Sequence, residues 1–283
     1  MASLEELENT VSINQEKNRL LRTVLEYAEA VTGNDPAAVL SAPDVRVTCN
    51  GSLSEIGKSP IWGSPRRIPY RQTFVDPETR SAVFFGIITN TTTVHAGFGE
   101  EWWLYAVRLK TNGEAVTEVE EIINANTFAH YETKPWEMRP NAVFGQVLPE
   151  DERLGSEDLK AVVEAYWNAV ERSVDGHQVP FHPDAVRREC GTVTTDAKNF
   201  PNSARGDFIN VSNVGWRWDV ANRRYPVVDV TRGVVVSFAD LRMSGGTNPD
   251  FLPCIVAEAF KIENGLIKAL DAFFYPGTGD SNW

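Results

Sequence analysis

The chain has few of the residues that build disulfide frameworks and metal sites. Only three cysteines and four histidines occur among its 283 residues. Cys49, Cys190 and Cys254 are odd in number and widely spaced, which favours reduced thiols over a disulfide framework or a zinc cluster. No histidine lies at metal-ligand spacing from another histidine or from a pair of carboxylates, so we expect no metal.

Long apolar runs, excess positive charge and cofactor motifs are also missing. No apolar stretch approaches the roughly 20 residues that span a bilayer, and the N-terminus has neither the basic nor the apolar region of a signal peptide. The net charge of −12 argues against nucleic acid and against anionic membranes as partners. No glycine-rich phosphate loop or nucleophile elbow occurs. We therefore expect a cytoplasmic, cofactor-independent protein that binds a small molecule, and homo-oligomerisation stays open.

One sequence pattern occurs twice along the chain. Residues 70–85 read Y-R-Q-T-F-V-D-P-E-T-R-S-A-V-F-F, and residues 225–238 read Y-P-V-V-D-V-T-R-G-V-V-V-S-F. A second shared sequence pattern precedes each copy, at residues 43–51 and at residues 183–191. The offset stays near 140 to 152 residues with the order preserved, which predicts two pseudo-symmetric domains. We predict a first domain over residues 1–131, a linker strap over 132–155 and a second domain over 156–283.

Each half begins with a helical pattern and continues with strands. Apolar residues at helical spacing predict a helix over residues 13–31, which ends at Gly33-Asn34-Asp35-Pro36, and a second helix from Ser156 to near residue 175. Alternating and apolar runs predict strands over 81–89, 102–110 and 115–123, and over 233–242, 254–262 and 266–275. A helix followed by a curved antiparallel sheet is an α+β pattern.

Several stretches are similar to known proteins. Residues 26–31 with Gly33-Asn34-Asp35 resemble the first-helix motif of ketosteroid isomerases. Residues 187–191, 223–226 and 258–262 resemble a tandem NTF2-like family, and matching first-half positions are Trp62, Tyr70, Asp76-Pro77 and Arg108-Leu109-Lys110. The resemblance implies two tandem NTF2-like (SnoaL/ketosteroid-isomerase-like) cone-shaped α+β barrel domains. Such a cone encloses a pocket between its helix and the concave face of its sheet.

A narrower resemblance concerns activity. The size, the tandem architecture and the aromatic-rich first half are similar to those of the cofactor-independent diarylpropane lyases of bacterial lignin-dimer catabolism. This implies general acid–base deformylation of a hydroxylated aromatic 1,3-diol to a stilbene, with release of formaldehyde. An isomerase or dehydratase of secondary metabolism, and a non-catalytic binding or assembly module, remain as alternatives.

The ketosteroid-isomerase resemblance also implies roles for four residues. Tyr27 and Tyr166 match the oxyanion-binding tyrosine, although each could equally be a core aromatic. Glu189 matches the general base and Glu258 the protonated acid of the oxyanion hole. The two acids could instead be structural partners of Arg187 or Arg224.

The first half supplies a further set of polar and aromatic candidates. In the strand register that the ketosteroid-isomerase resemblance implies, alternation turns Glu121 into the first pocket, and Glu258, Leu270, Ala272 and Phe274 into the second. Trp62, Trp102 and Trp103 offer flat apolar surface for an aromatic ring. The full candidate set adds Lys58, Tyr70, Asn90, Arg108 and Glu121 as catalytic residues, and Tyr105, Tyr166 and His182 as substrate-binding residues. Because proton-transfer groups and tryptophans coincide there, we predict that the first cone is the active one.

Overall fold

The computed structural model describes residues 4–63, 66–90, 102–125, 138–172, 179–195, 217–245 and 252–283. The first half contains one long helix, one 3₁₀ turn and six strands: α1 (Leu4–Gly33), the 3₁₀ turn Pro36–Ala38, β1 (Ser41–Cys49), β2 (Ser52–Ser54), β3 (Arg66–Asp76), β4 (Ser81–Asn90), β5 (Trp102–Thr111) and β6 (Val116–Ala125). After two 3₁₀ turns at Ala142–Gly145 and Glu150–Glu152, the second half repeats the order: α2 (Ser156–Arg172), β7 (Phe181–Glu189), β8 (Thr192–Val193), β9 (Arg217–Asp229), β10 (Val234–Gly245), β11 (Cys254–Glu263) and β12 (Leu266–Pro276).

The two sheets share one topology. The strand order is β2-β1-β6-β5-β4-β3 in the first sheet and β8-β7-β12-β11-β10-β9 in the second. One strand pair is parallel in each sheet, β1 with β6 and β7 with β12, and the other pairs are antiparallel. Each helix packs on one face of its sheet, so each half forms a cone around its own apolar interior. The predicted α+β fold class, with two tandem units of the same topology, is confirmed.

Helix α1 begins well before the predicted residue 13. Its first fully buried side chain is Leu20, and the side chains of residues 11–15 are exposed. The early turns are rich in Leu and Glu, good helix formers, and contain no Gly or Pro. Propensity rather than burial therefore explains the extension. The predicted stop is confirmed, since the helix ends at Gly33 and Asn34 follows with a φ of 54°.

The two sheets pack against each other through the faces that point away from the cones. Phe85 of the first sheet lies 4.8 Å from Phe273 of the second, measured between ring centroids. Phe144 of the strap closes this layer, 5.6 Å from Phe74. The sheet layer is therefore one continuous apolar core shared by both halves.

The described part of the strap, residues 138–155, binds both halves through its backbone. The Asn141 N–H donates to Gln72 Oε1 in the first sheet at 3.0 Å. The Leu148 N–H donates to the carbonyl of Thr231, between β9 and β10, also at 3.0 Å. The strap is therefore docked along the molecule. The exact domain limits at residues 131 and 156 stay a prediction.

A buried charge triad crosses the boundary between the halves. Glu120, on the outer face of β6, accepts from Arg108 Nε at 2.9 Å and from both terminal nitrogens of Arg224 at 2.6 and 2.8 Å. Arg108 also pairs with Glu118 at 2.7 Å. Since Arg224 belongs to the second half, these contacts bind the two sheets electrostatically.

The last seven residues form a clasp, residues 277–283, that leaves the second half and packs on the first. Trp283 lies between two guanidinium groups, with Arg46 at 4.7 Å and Arg108 at 4.4 Å from its ring centroid. Its indole N–H donates to Thr48 Oγ1 at 2.7 Å. Ser281 is buried and its hydroxyl accepts from Arg224 at 3.2 Å. The clasp therefore reaches the same charge triad.

Candidate functional site

The second cone gathers two acids, one arginine and one tyrosine. α2 carries Tyr166 inward, the parallel strand β7 carries Arg187 and Glu189, and β11 carries Glu258. The Tyr166 hydroxyl donates to Glu258 Oε1 at 3.3 Å and lies 3.3 Å from Arg187 Nη2. Arg187 forms an ion pair with Glu189. The four side chains therefore form one continuous chain of polar contacts.

Glu258 is the most perturbed acid of this set. It is 4% exposed, and burial raises its pKa from 4.5 to about 8. Arg187 and the Tyr166 hydroxyl lower this pKa, whereas Glu189 raises it. Its Oε2 atom is buried and has no hydrogen-bond partner within the described residues. Glu258 is therefore protonated at neutral pH and presents one carboxyl oxygen that no described residue uses.

Aromatic rings form the wall beside these groups. Tyr166 contacts Trp167, Phe260 and Phe181 edge to face, with centroids 5.0, 5.1 and 6.3 Å away. The Trp167 indole N–H is satisfied by Ser237 Oγ at 2.9 Å. Apolar walls of this kind exclude water and strengthen the electrostatic interactions of the enclosed acids.

The first cone is built around a single acid. Glu121 on β6 is fully buried, and its Oε1 accepts from the Tyr27 hydroxyl at 3.1 Å and from the Tyr105 hydroxyl at 2.7 Å. Burial raises the pKa of Glu121, while these phenols lower it. Burial also raises the pKa of both tyrosines. The predicted inward orientation of Glu121 is thus observed, together with a tyrosine from the helix.

Three more side chains surround Glu121. Ser59 and Trp62, from the loop after β2, lie close enough to lower its pKa, although neither donor atom reaches hydrogen-bond geometry. Trp62 also contacts Tyr27 edge to face at 6.1 Å. Cys49, at the end of β1, is partly exposed, and burial together with Glu121 raises its pKa to about 12.

The strand registers show how the two cones differ. Cys49 pairs with Glu121 across β1 and β6, and Glu189 pairs with Ala272 across β7 and β12. Val107 pairs with Glu121 across β5 and β6, and Glu258 pairs with Ala272 across β11 and β12. Val107 of the first cone is therefore the position that matches Glu258 of the second. Each cone therefore offers its helix tyrosine a carboxyl, but from a different strand. The expectation that the two pockets are chemically unequal agrees with this register.

Three predicted catalytic residues do not face the first cone. Lys58 is exposed on the turn after β2. Tyr70 and Arg108 lie on the outer face of the first sheet, where Tyr70 joins the core shared with the second half and Arg108 binds Glu120. The prediction placed them around the cone without considering that both faces of this sheet are covered. Their placement in the pocket is corrected.

The remaining predicted residues divide by position. Trp103 lines the first cone beneath the Arg66 guanidinium at 4.2 Å, whereas Trp102 packs on the core between the sheets. Asn90 ends β4, but its side chain lies outside the described residues. His182 sits at the start of β7, 3.2 Å from Lys268 Nζ and at the far end of the strand from Glu189. His182, predicted to bind substrate, therefore lies away from the acids of the second cone.

The described residues contain neither a metal-binding cluster nor a membrane-spanning helix. Within those residues, no group of three or more His, Cys, Asp and Glu side chains could hold a metal ion. His95, His130 and His177 lie outside them. In the same part of the chain, no helix is long and apolar enough to cross a membrane.

An open cleft of about 790 Å³ lies between the halves, lined by α1 residues 12–19 and by the β3–β4 and β9–β10 turns. Lys17 and Asp229 face each other there at 4.0 Å. Asp76, the buried acid on its wall, already accepts from the backbone N–H groups of Glu78 and Val228. The cleft therefore offers surface charge rather than convergent unsatisfied groups.

Residues 152–274 match a protein family described as a domain of unknown function (DUF8021). The match begins at the end of the strap and spans the second cone from α2 into β12. No curated protein shows significant similarity to the chain.

Solved structures resemble about two fifths of the chain each. An LEH-like epoxide hydrolase from M. tuberculosis is 14% identical and covers 42% of this chain and 84% of its own, with a TM-score of 0.31. A Kribbella flavida protein provisionally assigned as a ketosteroid isomerase is 12% identical, with coverages of 43% and 81% and a TM-score of 0.31. An NTF2-like protein of unknown function from Cytophaga hutchinsonii is 12% identical, with coverages of 42% and 90% and a TM-score of 0.29. Such distant likenesses assign no activity to this chain.

Proposed function

We propose that the protein is a cofactor-independent lyase whose acid–base site is the second cone. The observation that carries this proposal is a pair of acids in unlike environments. Glu189 forms an ion pair with Arg187, whereas burial raises the pKa of Glu258 to about 8, so that Glu258 keeps its proton at neutral pH. Neighbouring acids whose environments separate their pKa values are suited to act as base and acid in one reaction.

An elimination uses both acids at once. Glu189 takes a proton either from an adjacent carbon, whose electron pair forms the new double bond, or from a substrate hydroxyl, whose electron pair forms a carbonyl while the neighbouring carbon–carbon bond breaks and its pair forms the double bond. A second hydroxyl leaves with the proton of Glu258 as water. Arg187 positions Glu189, and the Tyr166 hydroxyl positions the Glu258 carboxyl. General acid–base groups of this kind contribute roughly 10²–10⁴-fold each.

The walls and charges favour a small neutral substrate with hydroxyl groups. The rings of Trp167, Phe181 and Phe260 surround Tyr166. Glu258 is uncharged at neutral pH, and Arg187 balances the charge of Glu189. With Arg187 in place the site is neutral, so it has no excess positive charge for an anionic substrate. This supports a hydroxylated aromatic molecule.

The finer form of the proposal is deformylation of a diarylpropane-1,3-diol. Removal of the terminal hydroxyl proton breaks the neighbouring carbon–carbon bond and releases formaldehyde. The electron pair of that bond forms the alkene of a stilbene as the benzylic hydroxyl leaves as water. Formaldehyde among the products separates this reaction from a simple dehydration, which releases water alone, and from an isomerisation, which releases neither.

The test compares the two cones with charge-neutral, isosteric variants. With a diarylpropane-1,3-diol as substrate, we expect Glu189→Gln and Glu258→Gln each to lower kcat by roughly 10²–10⁴-fold while the fold is retained. Glu121→Gln in the first cone is the matched control and should retain most of the activity. A strong chelator should leave turnover unchanged.

Two outcomes would contradict the proposal. Loss of turnover in Glu121→Gln alone, with both second-cone variants active, would move the chemistry to the first cone. Independently of substrate, infrared spectra at pH 7 should contain the band of a protonated carboxyl that disappears in Glu258→Gln. Absence of that band would remove the proposed acid.

A further inference from the structure

Helix α1 carries a second row of regularly spaced residues besides the one that it buries. Leu20, Val24 and Tyr27 are buried and face the first cone. The second row lies on the other side of the helix, and we call it the outer stripe: Val11, Asn14, Asn18, Leu21 and Leu25. Its steps alternate between three and four residues, which is the seven-residue repeat of a helix that packs along another helix.

The outer stripe is accessible to a partner. Val11 and Leu21 are 56% and 40% exposed, and the two asparagines between them are exposed as well. In the sequence, Leu4 and Leu7 continue the same alternation towards the start of the helix. Residues 4–25 form about 33 Å of helix at 1.5 Å per residue. Single exposed apolar residues are common on protein surfaces, whereas a regular row of them indicates a contact surface.

The order of residues in the outer stripe matches a second copy that runs in the opposite direction. In an antiparallel pair of α1 helices, Asn14 of one copy faces Asn18 of the other, and Val11 faces Leu21. A polar residue buried between two helices fixes their register when it meets a polar partner. Polar therefore meets polar and apolar meets apolar along the stripe, as a twofold interface requires.

The charges of α1 favour the same orientation. The sequence before Val11 contains three acids and the sequence after it three basic residues, which are Glu5, Glu6 and Glu8, and Lys17, Arg19 and Arg22. An antiparallel pair brings the acidic segment of each copy to the basic segment of the other, whereas a parallel pair brings like charges together. Arg22 is exposed beside Leu21 of the outer stripe, and Glu8 follows Leu7 in the same way in the sequence.

We propose that the outer stripe of α1 is a dimerisation surface and that its partner is a second copy of this chain, packed antiparallel across a twofold axis. The side chains of residues 11–15 are exposed in the single chain, and the dimer gives these early turns a packing partner. Tertiary packing of this kind stabilises helices more than propensity does. The interface lies on the side of α1 away from the first cone, so it does not depend on the reaction assigned to the second.

The molar mass of the full-length chain in solution tests this surface. At roughly 1–100 µM, light scattering should show a concentration-dependent change from the 31.5 kDa chain to its dimer. Leu21→Asp should raise the Kd of the dimer by roughly tenfold or more, because it places a charge between the helices. Circular dichroism should show an unchanged fold, since Leu21 is exposed in the single chain.

Ile13→Asp is the matched control. Ile13 lies on the same helix and is 41% exposed, but it lines the cleft between the halves instead of the outer stripe. The same change from an apolar to an acidic side chain should therefore leave the dimer intact. Loss of the dimer in Ile13→Asp, with Leu21→Asp still dimeric, would place the interface at the cleft and overturn the inference.

A charge exchange tests the antiparallel orientation. Arg22→Glu should weaken the dimer roughly three- to tenfold, because a twofold interface contains two equivalent copies of each ion pair. Adding Glu8→Arg to Arg22→Glu should restore the affinity. Failure of the double variant to recover would contradict the antiparallel pairing. A chain that stays monomeric over the whole concentration range would overturn the inference and assign the outer stripe to another partner.

Discussion

Tyr27 and Tyr166 occupy equivalent positions on the two helices, and each points its hydroxyl at a buried carboxyl. Tyr27 donates to Glu121 at 3.1 Å and Tyr166 to Glu258 at 3.3 Å. The acids come from non-equivalent strands, β6 and β11. The pseudo-symmetry of the backbone is therefore broken at the polar groups, and the two cones are chemically unequal.

Stability should depend on pH through Glu258. Burial raises its pKa from 4.5 to about 8, so the folded chain holds a proton that the unfolded chain releases over that range. The stability linked to this proton is therefore full below about pH 4.5 and is lost as the pH rises towards 8. Urea unfolding between pH 4 and pH 9 should show this slope, and Glu258→Gln should reduce it. An unchanged slope in the variant would contradict the assignment.

Asp271 should give a second slope at lower pH. It lies on the outer face of β12, near Arg188 and the strap residue Asn141, and burial raises its pKa from 3.8 to about 6. The stability linked to its proton is full below about pH 4 and is lost by about pH 6. We expect Asp271→Asn to stabilise the protein at pH 7 by on the order of 2 kcal/mol, and to have no effect at pH 3.5. Destabilisation at pH 7 would show that the contact with Arg188 outweighs burial.

Glu120 should be the most sensitive residue at the boundary of the halves. Its removal leaves Arg108 and Arg224 facing each other without the carboxylate that binds both. We expect Glu120→Gln to destabilise the protein by about 3–5 kcal/mol. Glu118→Gln is the matched control, because Glu118 pairs with the same Arg108 but is 27% exposed, and it should cost less than about 1 kcal/mol. Equal losses in the two variants would contradict the special role of the triad.

The clasp should stabilise the first half although it follows the second in sequence. Trp283→Ala removes the contacts with Arg46 and Arg108 and the hydrogen bond to Thr48, and we expect a loss of about 2 kcal/mol or more. Trp283→Phe keeps the ring and should lose only about 1 kcal/mol. Amide exchange of β1 and β2 should accelerate in Trp283→Ala. Unchanged exchange there would show that the clasp does not hold the first half.

Gly51 offers an independent test of the clasp. Its φ is +77°, and an added Cβ would lie 2.2 Å from the carbonyl oxygen of Asp280. Gly51→Ala should therefore displace the clasp and reproduce the exchange pattern of Trp283→Ala. The control is Gly63→Ala, where φ is also positive but nothing lies within 4 Å, so it reports backbone strain alone.

The sequence by itself determined the architecture. Its internal repeat, its helical and alternating apolar patterns and the Asn264-Gly265 turn are local signals, because they depend on residues close together in the chain. They led to two α+β units with the observed order of helix and strands. Strand alternation, read in the register of the ketosteroid-isomerase resemblance, predicted that Glu121 and Glu258 face inward, since the side-chain period of two holds for any strand.

Only the tertiary structure decided which polar residues share a site. The alternation of side chains along a strand does not show that the second sheet covers the outer face of the first. Tyr70 and Arg108 were therefore expected in the pocket, although they lie between the sheets. The contacts that join Arg187, Tyr166 and Glu258 depend on β7 lying two strands from β11. The raised pKa of Glu258 follows from burial, a property of the packed molecule that no local sequence pattern contains.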